Sequence, residues 1–339
     1  MSQHEKVEEV LDKARVLEEK YDWVKAKLHY EQALRVARKG DFWRKGEIQE
    51  RIGYSLYRAA FQAKTRRGFE RRMRLSSEAY EKAAKLFEGL EDSERCGKTD
   101  FCKARALYNG SWLVSGSKRK MLLNECWRLQ KVALKASKET GDLSGSGRLC
   151  NELLYCLYDR SLIEWKRHQL NKIVAEAVGL GETAIDALSK VRDEKELARA
   201  YSLTSLHCFY AANVSELEEK KREFGQKCLS YAEKALELSK KVGDRYLISL
   251  SNWAAATAAL YFSDNITSSL EHAEKMLQQG IAIKDNYVIG VAYYQLAFII
   301  IWMMRVEEDP DNKREGYGKA IQYAEDAIRH LCIVNNSKP

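Results

Sequence analysis

The chain has 339 residues, of which 45% are hydrophobic and 31% charged, the balance of a packed soluble protein. Only two prolines, Pro310 and Pro339, are available to break helices, so the composition points to an all-α fold. The formal net charge of +8 is a local excess: residues 51–150 carry 22 Lys and Arg against 11 Asp and Glu, and the rest of the chain 35 against 38.

In chain order, Met1 to Lys20 reads as a charged amphipathic helix and not as a secretory leader, so a cytoplasmic location is expected. From there one spacing of small residues recurs seven times. It runs through Ala26/Tyr30/Ala33, Ser76/Tyr80/Ala83, Cys126/Gln130/Ala133, Ala177/Gly181/Ala184, Cys228/Ala232/Ala235, Ala273/Leu277/Gly280 and Ala320/Ala324/Ala327. Positions i, i+4 and i+7 share one helix stripe, where a neighbouring backbone can approach closely. Successive triplets lie 45 to 51 residues apart, a period that marks a helical solenoid. Gly40-Asp41, Gly141-Asp142 and Gly243-Asp244 supply the turns between repeats, glycine as a left-handed C-terminal cap and aspartate as the next N-cap. Asp100, Asp193 and Asp285 are expected at the same cap position without the glycine. Each repeat then reads as helix A, a connection, and helix B bearing the triplet, over residues 1–334, with 335–339 as a short tail.

The second helix of the tetratricopeptide repeat carries Ala, a bulky residue and Ala at the spacing of Ala26/Tyr30/Ala33, and the whole chain resembles that family. The resemblance implies a right-handed α-α superhelix of about seven antiparallel helix pairs. The period departs from the family's roughly 34 residues, which places extended helices between Ala60 and Met73 and between Ala211 and Phe224. The nearest parallels are long-helix arrays at the N termini of larger microbial signalling proteins.

No residues assemble a catalytic, metal or cofactor motif. The six histidines lie on different repeats without ligand spacing, and the eight cysteines (Cys96, Cys102, Cys126, Cys150, Cys156, Cys208, Cys228 and Cys332) form no CxxC pair and read as reduced. The glycine-rich stretch Gly141 to Gly147 lacks the GK[ST] ending of a phosphate loop and reads as a turn. The chain is therefore expected to be no enzyme and to need no cofactor.

Two surfaces are candidates for binding. One is basic: Lys64, Arg66, Arg67, Arg71, Arg72 and Arg74 surround a single acid, Glu70, and Lys118, Arg119 and Lys120 occupy the comparable connection of the next repeat. Stacking brings both clusters to one edge, which would attract an anionic partner. The other is the groove lined by A helices. Asn109, Asn151 and Asn252 fall eight or nine residues after their cap aspartates, and the resemblance implies that such asparagines pair with a peptide backbone. Trp112 and Tyr155 stand nearby as apolar anchors. From Tyr246 to Met304 charges are sparse, which makes residues 246–304 a candidate surface for a dimer or a docked partner. Within this region Gly290–Met304 is too short for a comfortable membrane span and reads as a buried helix, so no membrane is expected. The leading expectation is a regulatory scaffold for a peptide or protein, acidic at least in part. The alternatives are a nucleic-acid-binding superhelix and a ligand-sensing array of a larger signalling protein.

Overall fold

The computed structural model describes residues 3–90, 93–263 and 265–334. Among these residues the chain forms fourteen α-helices and no strand. The A helices are α1 (Gln3–Glu19), α3 (Phe42–Phe61), α5 (Ser93–Ser111), α7 (Leu143–Ile163), α9 (Glu194–Val214), α11 (Arg245–Phe262) and α13 (Asn286–Val306). The B helices are α2 (Trp23–Val36), α4 (Arg66–Glu88), α6 (Gly116–Glu139), α8 (Arg167–Val191), α10 (Glu218–Val242), α12 (Ile266–Ile283) and α14 (Pro310–Val334). Every small-residue triplet lies on a B helix, and its first and last members are buried in all seven. The middle position is buried in the first five, half-buried at Leu277 and exposed at Ala324, which no described helix covers.

Close approach explains the triplets. A Cβ on Gly181 would stand 2.1 Å from Thr204 Oγ1, so α8 can lie against α9 only because that position has no side chain. Elsewhere hydroxyls make the same bridge between the helices of a pair. Ser76 Oγ donates to the carbonyl of Gly53 at 2.6 Å, Ser205 Oγ to that of Cys228 at 2.7 Å and Ser269 Oγ to that of Ala256 at 2.7 Å. Each satisfies a buried polar group while holding two backbones together.

The aspartate caps stand where the punctuation predicts at Asp41, Asp142, Asp193, Asp244 and Asp285, each accepting from an amide in the first turn of the following helix. The left-handed residue ahead of the cap is glycine at Gly141 and Gly243, but Arg192 and Lys284 adopt the same conformation without that freedom. Gly40 does not adopt it. Asp100 is no cap. It lies inside α5, which begins at Ser93, because Lys98 pairs with Glu50 at 3.0 Å and buried Thr99 belongs to the packed face, so the helix extends upstream of the expected start.

The helices divide into two compact units, residues 3–149 with Val334 and residues 150–333. The core of the first includes Val7, Leu11, Ala26, Tyr30, Ile48 and Ile52, in which α1, α2 and α3 meet. In the second, Ala256, Ala273, Leu296 and Ile299 join α11, α12 and α13. Among the described residues α13 alone is long and apolar enough to cross a membrane, and 44% of its apolar window is buried in this packing. Cys102, Cys126, Cys150, Cys156, Cys208 and Cys228 are free and buried as small apolar side chains, Cys332 is free and exposed, and the tail 335–339 lies outside the described residues, as does the side chain of Cys96.

Candidate functional site

In the first unit the connections between α3 and α4 (62–65) and between α5 and α6 (112–115) form one surface. Its base is aromatic: the buried rings of Phe61 and Trp112 have centroids 5.3 Å apart, and Phe69 closes the cluster 5.7 Å from Phe61. Guanidinium groups cover it. Arg66 lies 5.1 Å over Phe69, pairs with Glu70 at 2.9 Å and donates through Nη2 to the carbonyl of Trp112 at 3.4 Å. Arg119 lies 5.6 Å from the ring of Trp112. The two basic clusters therefore meet through Arg66 and Trp112. Arg72 turns inward, its Nη1 donating to the carbonyl of Ala59 at 2.5 Å, and burial with the neighbouring charge of Arg71 lowers its pKa. Lys64, Arg67, Arg71, Arg74, Lys118 and Lys120 are exposed.

The A helices of the second unit carry a different surface. Tyr155 Oη on α7 lies 3.0 Å from Tyr246 Oη on α11, and the rings of Tyr158 and Trp253 on the same helices are 5.4 Å apart. Helices two repeats apart thus touch on the A side, which makes it the inner side of the curve within this unit. Burial raises the pKa of Tyr155, with the Tyr246 hydroxyl adding to it, and burial does the same to Tyr158. Beside them Glu196 and Arg199 form a half-buried ion pair at 3.1 Å. Beyond Tyr158 the aromatic side chains run on: Tyr210 at 5.8 Å, Phe209 next to it, Tyr261 4.7 Å from Phe209, and Phe298 stacked 6.4 Å from Tyr261. Tyr294 and Trp302 flank Phe298 at 6.2 and 6.3 Å. This belt crosses α7, α9, α11 and α13, and its far end faces solvent, with Tyr294 58%, Tyr261 39% and Trp302 38% exposed.

The three asparagines do not share one surface. Asn109 is buried, and its Nδ2 donates to Ser76 Oγ of α4 at 2.8 Å. Asn252 is buried between α11 and α12, donating to the carbonyl of Ile248 at 2.8 Å and accepting from His272 Nδ1 at 2.9 Å. Asn151 points instead to the next A helix, where its Nδ2 donates to both the carbonyl and Oε2 of Glu196 at 3.0 Å. The Oδ1 atoms of Asn109 and Asn151 are buried without a hydrogen-bond partner. Trp112 lies under the basic edge, and Tyr155 under the Tyr246 contact. Sequence reasoning missed Glu196, Arg199, Tyr210, Tyr261, Tyr294, Phe298 and Trp302. The signal available for the last four was the sparsely charged stretch 246–304, which holds them all.

His207 is fully buried behind this surface. Its Nε2 lies 3.1 Å from the carbonyl of Leu154 and so carries the proton, and burial lowers its pKa to about 4. Among the described residues no group of three or more His, Cys, Asp or Glu is placed to hold a metal ion.

No family model matches the sequence, and no curated protein matches it. Among solved structures the chain is similar to the apo form of RapI, at 15% identity and a TM-score of 0.56, over 95% of this chain and 98% of that one. It is also similar to the Rap conjugation gene regulator of the plasmid pLS20 in complex with the Phr* peptide, at 12% identity and a TM-score of 0.36, over 98% of each chain. A circular tandem repeat protein with novel repeat topology follows at 11% identity and a TM-score of 0.35, over 91% of this chain and 76% of that one. At such identities a likeness speaks for fold alone, and the likeness to RapI agrees with the helix pairs seen here: the chain is a helical-repeat protein.

Proposed function

We propose that the chain is a non-enzymatic, tetratricopeptide-like regulatory scaffold of the cytoplasm that binds a peptide along the A helices of its second unit. The observation that carries this reading is the aromatic belt, which is continuous from Tyr158 to Trp302 and opens to solvent at Tyr261, Tyr294 and Trp302. Exposed rings held rigid by their neighbours offer large contact area at a small cost in side-chain entropy, the property of anchor residues. The half-buried ion pair of Glu196 and Arg199 and the unpartnered Oδ1 of Asn151 supply polar groups at the other end of the belt. Asn151 and Tyr155 remain the groove residues of this proposal. Asn109 and Asn252 would act through the packing of the helices that carry the groove.

Panning a random peptide display library against the purified chain tests the reading. A peptide family with spaced apolar residues should be enriched, and Tyr294→Ala with Trp302→Ala should weaken the selected peptide by about tenfold or more, the loss of two aromatic anchors. Asn151→Ala should weaken it less. Failure to enrich any sequence, or equal binding by the double variant, would remove the groove from this surface.

A further inference from the structure

We propose that the edge formed by the α3–α4 and α5–α6 connections is a docking surface for a run of acidic residues on a partner protein. This deepens the scaffold reading by naming a partner class for the basic edge, and it does not depend on the aromatic groove.

The first observation is the absence of compensation. Over residues 62–74 and 113–124 nine cations meet one carboxylate, Glu70. That carboxylate is already shared, by Arg66 at 2.9 Å and Arg74 at 3.8 Å. Lys64, Arg67, Arg71 and Lys118 are exposed and form no ion pair among the described residues. Elsewhere in the same unit exposed cations do find partners: Lys13 with Glu9, Lys25 with Asp22, Lys103 with Glu88 and Arg128 with Glu125. What sets this edge apart is density: exposed cations elsewhere in the unit, such as Lys39, Lys85 and Lys138, also stand unpaired, but nowhere else do nine cations gather around one carboxylate.

A second observation is order. Arg66 is fixed on three sides, by Phe69, Glu70 and the Trp112 carbonyl, and Arg119 by the Trp112 ring, so the positions of these cations are set before any partner arrives. Pre-set guanidinium groups lose little entropy on pairing with carboxylates, which they meet in a two-pronged geometry. Arg72 is held as well, its Nη1 donating to the Ala59 carbonyl at 2.5 Å. Both α4 and α6 begin at this edge, and Ser115 makes no side-chain cap bond to α6, so the positive ends of two helices add to the field.

The choice of an acidic protein segment over nucleic acid rests on the rings. Proteins that bind single strands stack bases on open aromatic faces, but here Phe61, Phe69 and Trp112 are buried beneath the guanidinium groups. The surface offers charge and forked donors without a stacking platform.

The test is titration of the full chain with fluorescein-labelled decaglutamate at low salt, with a ten-nucleotide oligothymidylate in parallel. The edge variant carries Lys64→Glu, Arg67→Glu, Arg71→Glu and Lys118→Glu. A control carries Lys39→Glu, Lys85→Glu, Lys135→Glu and Lys138→Glu, also exposed positions of the first unit, and has the same net charge. We expect the edge variant to bind decaglutamate at least about tenfold more weakly and the control to stay within about threefold of the parent. Absent binding by the parent, or equal losses in the two variants, would overturn the proposal, the latter by assigning the effect to net charge. Tighter binding of the oligothymidylate, lost in the edge variant, would overturn it in favour of nucleic acid. The library experiment on the aromatic groove uses a different probe and different variants, so either reading can fail without the other.

Discussion

The two units share one packing device and differ in what they place on their A helices. In the first, A-helix cations lie over aromatic rings or beside acids: Arg105 stands 4.8 Å over Tyr57 and 5.4 Å over Tyr108, Arg58 5.7 Å over Trp23, and Lys98 beside Glu50. In the second, rings meet rings, from Tyr158 to Trp302, and the ion pair of Glu196 and Arg199 stands at the margin. The B-helix triplets are alike in both. Spacing between helices is thus set by one face of each pair, which leaves the other face free to change its chemistry without disturbing the stack.

Acid should break the symmetry between the units most strongly. His207 has a folded pKa of about 4 against an ordinary value of 6.5, so the native state binds fewer protons than the unfolded chain between those values. The second unit is therefore expected to hold its full stability above about pH 6.5 and to lose up to about 3 kcal/mol as the pH falls to 4. Urea unfolding at pH 7.5 and 4.5, with hydrogen exchange to separate the units, measures this, and His207→Gln should flatten the difference. An acid response confined to the first unit would refute the assignment.

A smaller effect of opposite sign is expected in the first unit. Gln130 occupies the middle triplet position of α6, 1% exposed, with neither amide atom hydrogen-bonded, where the second unit has Gly181, Ala232 and Leu277. Gln130→Met keeps the volume and removes two unsatisfied polar atoms, and it should raise stability by about 1 to 2 kcal/mol, read as a higher urea midpoint with unchanged slope. The smallest change sharpens the comparison of turns. Where the first unit has Gly141 in the left-handed conformation, the second has Arg192 and Lys284. Each change to glycine should stabilise by about 0.5 to 1 kcal/mol, and a melting temperature that does not rise would contradict the strain inferred there.

Much of the fold was legible because packing chemistry repeats. The triplets, the Gly-Asp turns at Gly141 and Gly243 and the caps at Asp193 and Asp285 each follow a local rule, whereas Gly40 departs from it. Asp100 misled because a cap and a mid-helix aspartate look alike until the upstream helix is known, and the upstream turn of α5 carries Lys98, whose partner Glu50 lies on α3. The basic edge was legible as charge, and the contact of Arg66 with Trp112 follows from stacking at the repeat spacing. The proposed groove was far less so. Counting from caps put Asn109, Asn151 and Asn252 in one register, but a shift of one residue rotates a side chain by about 100° on a helix, enough to turn it from a groove to a neighbouring helix. The aromatic belt joins residues from four helices, and no local pattern announces which rings of an apolar stretch will be covered.

The contact of Tyr155 with Tyr246 has a mechanical consequence. A stack in which each repeat touches only the next bends like a soft spring, since every interface yields independently. A tie between repeats two apart makes the intervening one share their motion, so that stretch should flex as a single stiff segment. Tyr155→Phe would remove the hydroxyl part of the tie while keeping the ring and the Tyr158–Trp253 contact, leaving the helices in place and the spring somewhat more compliant.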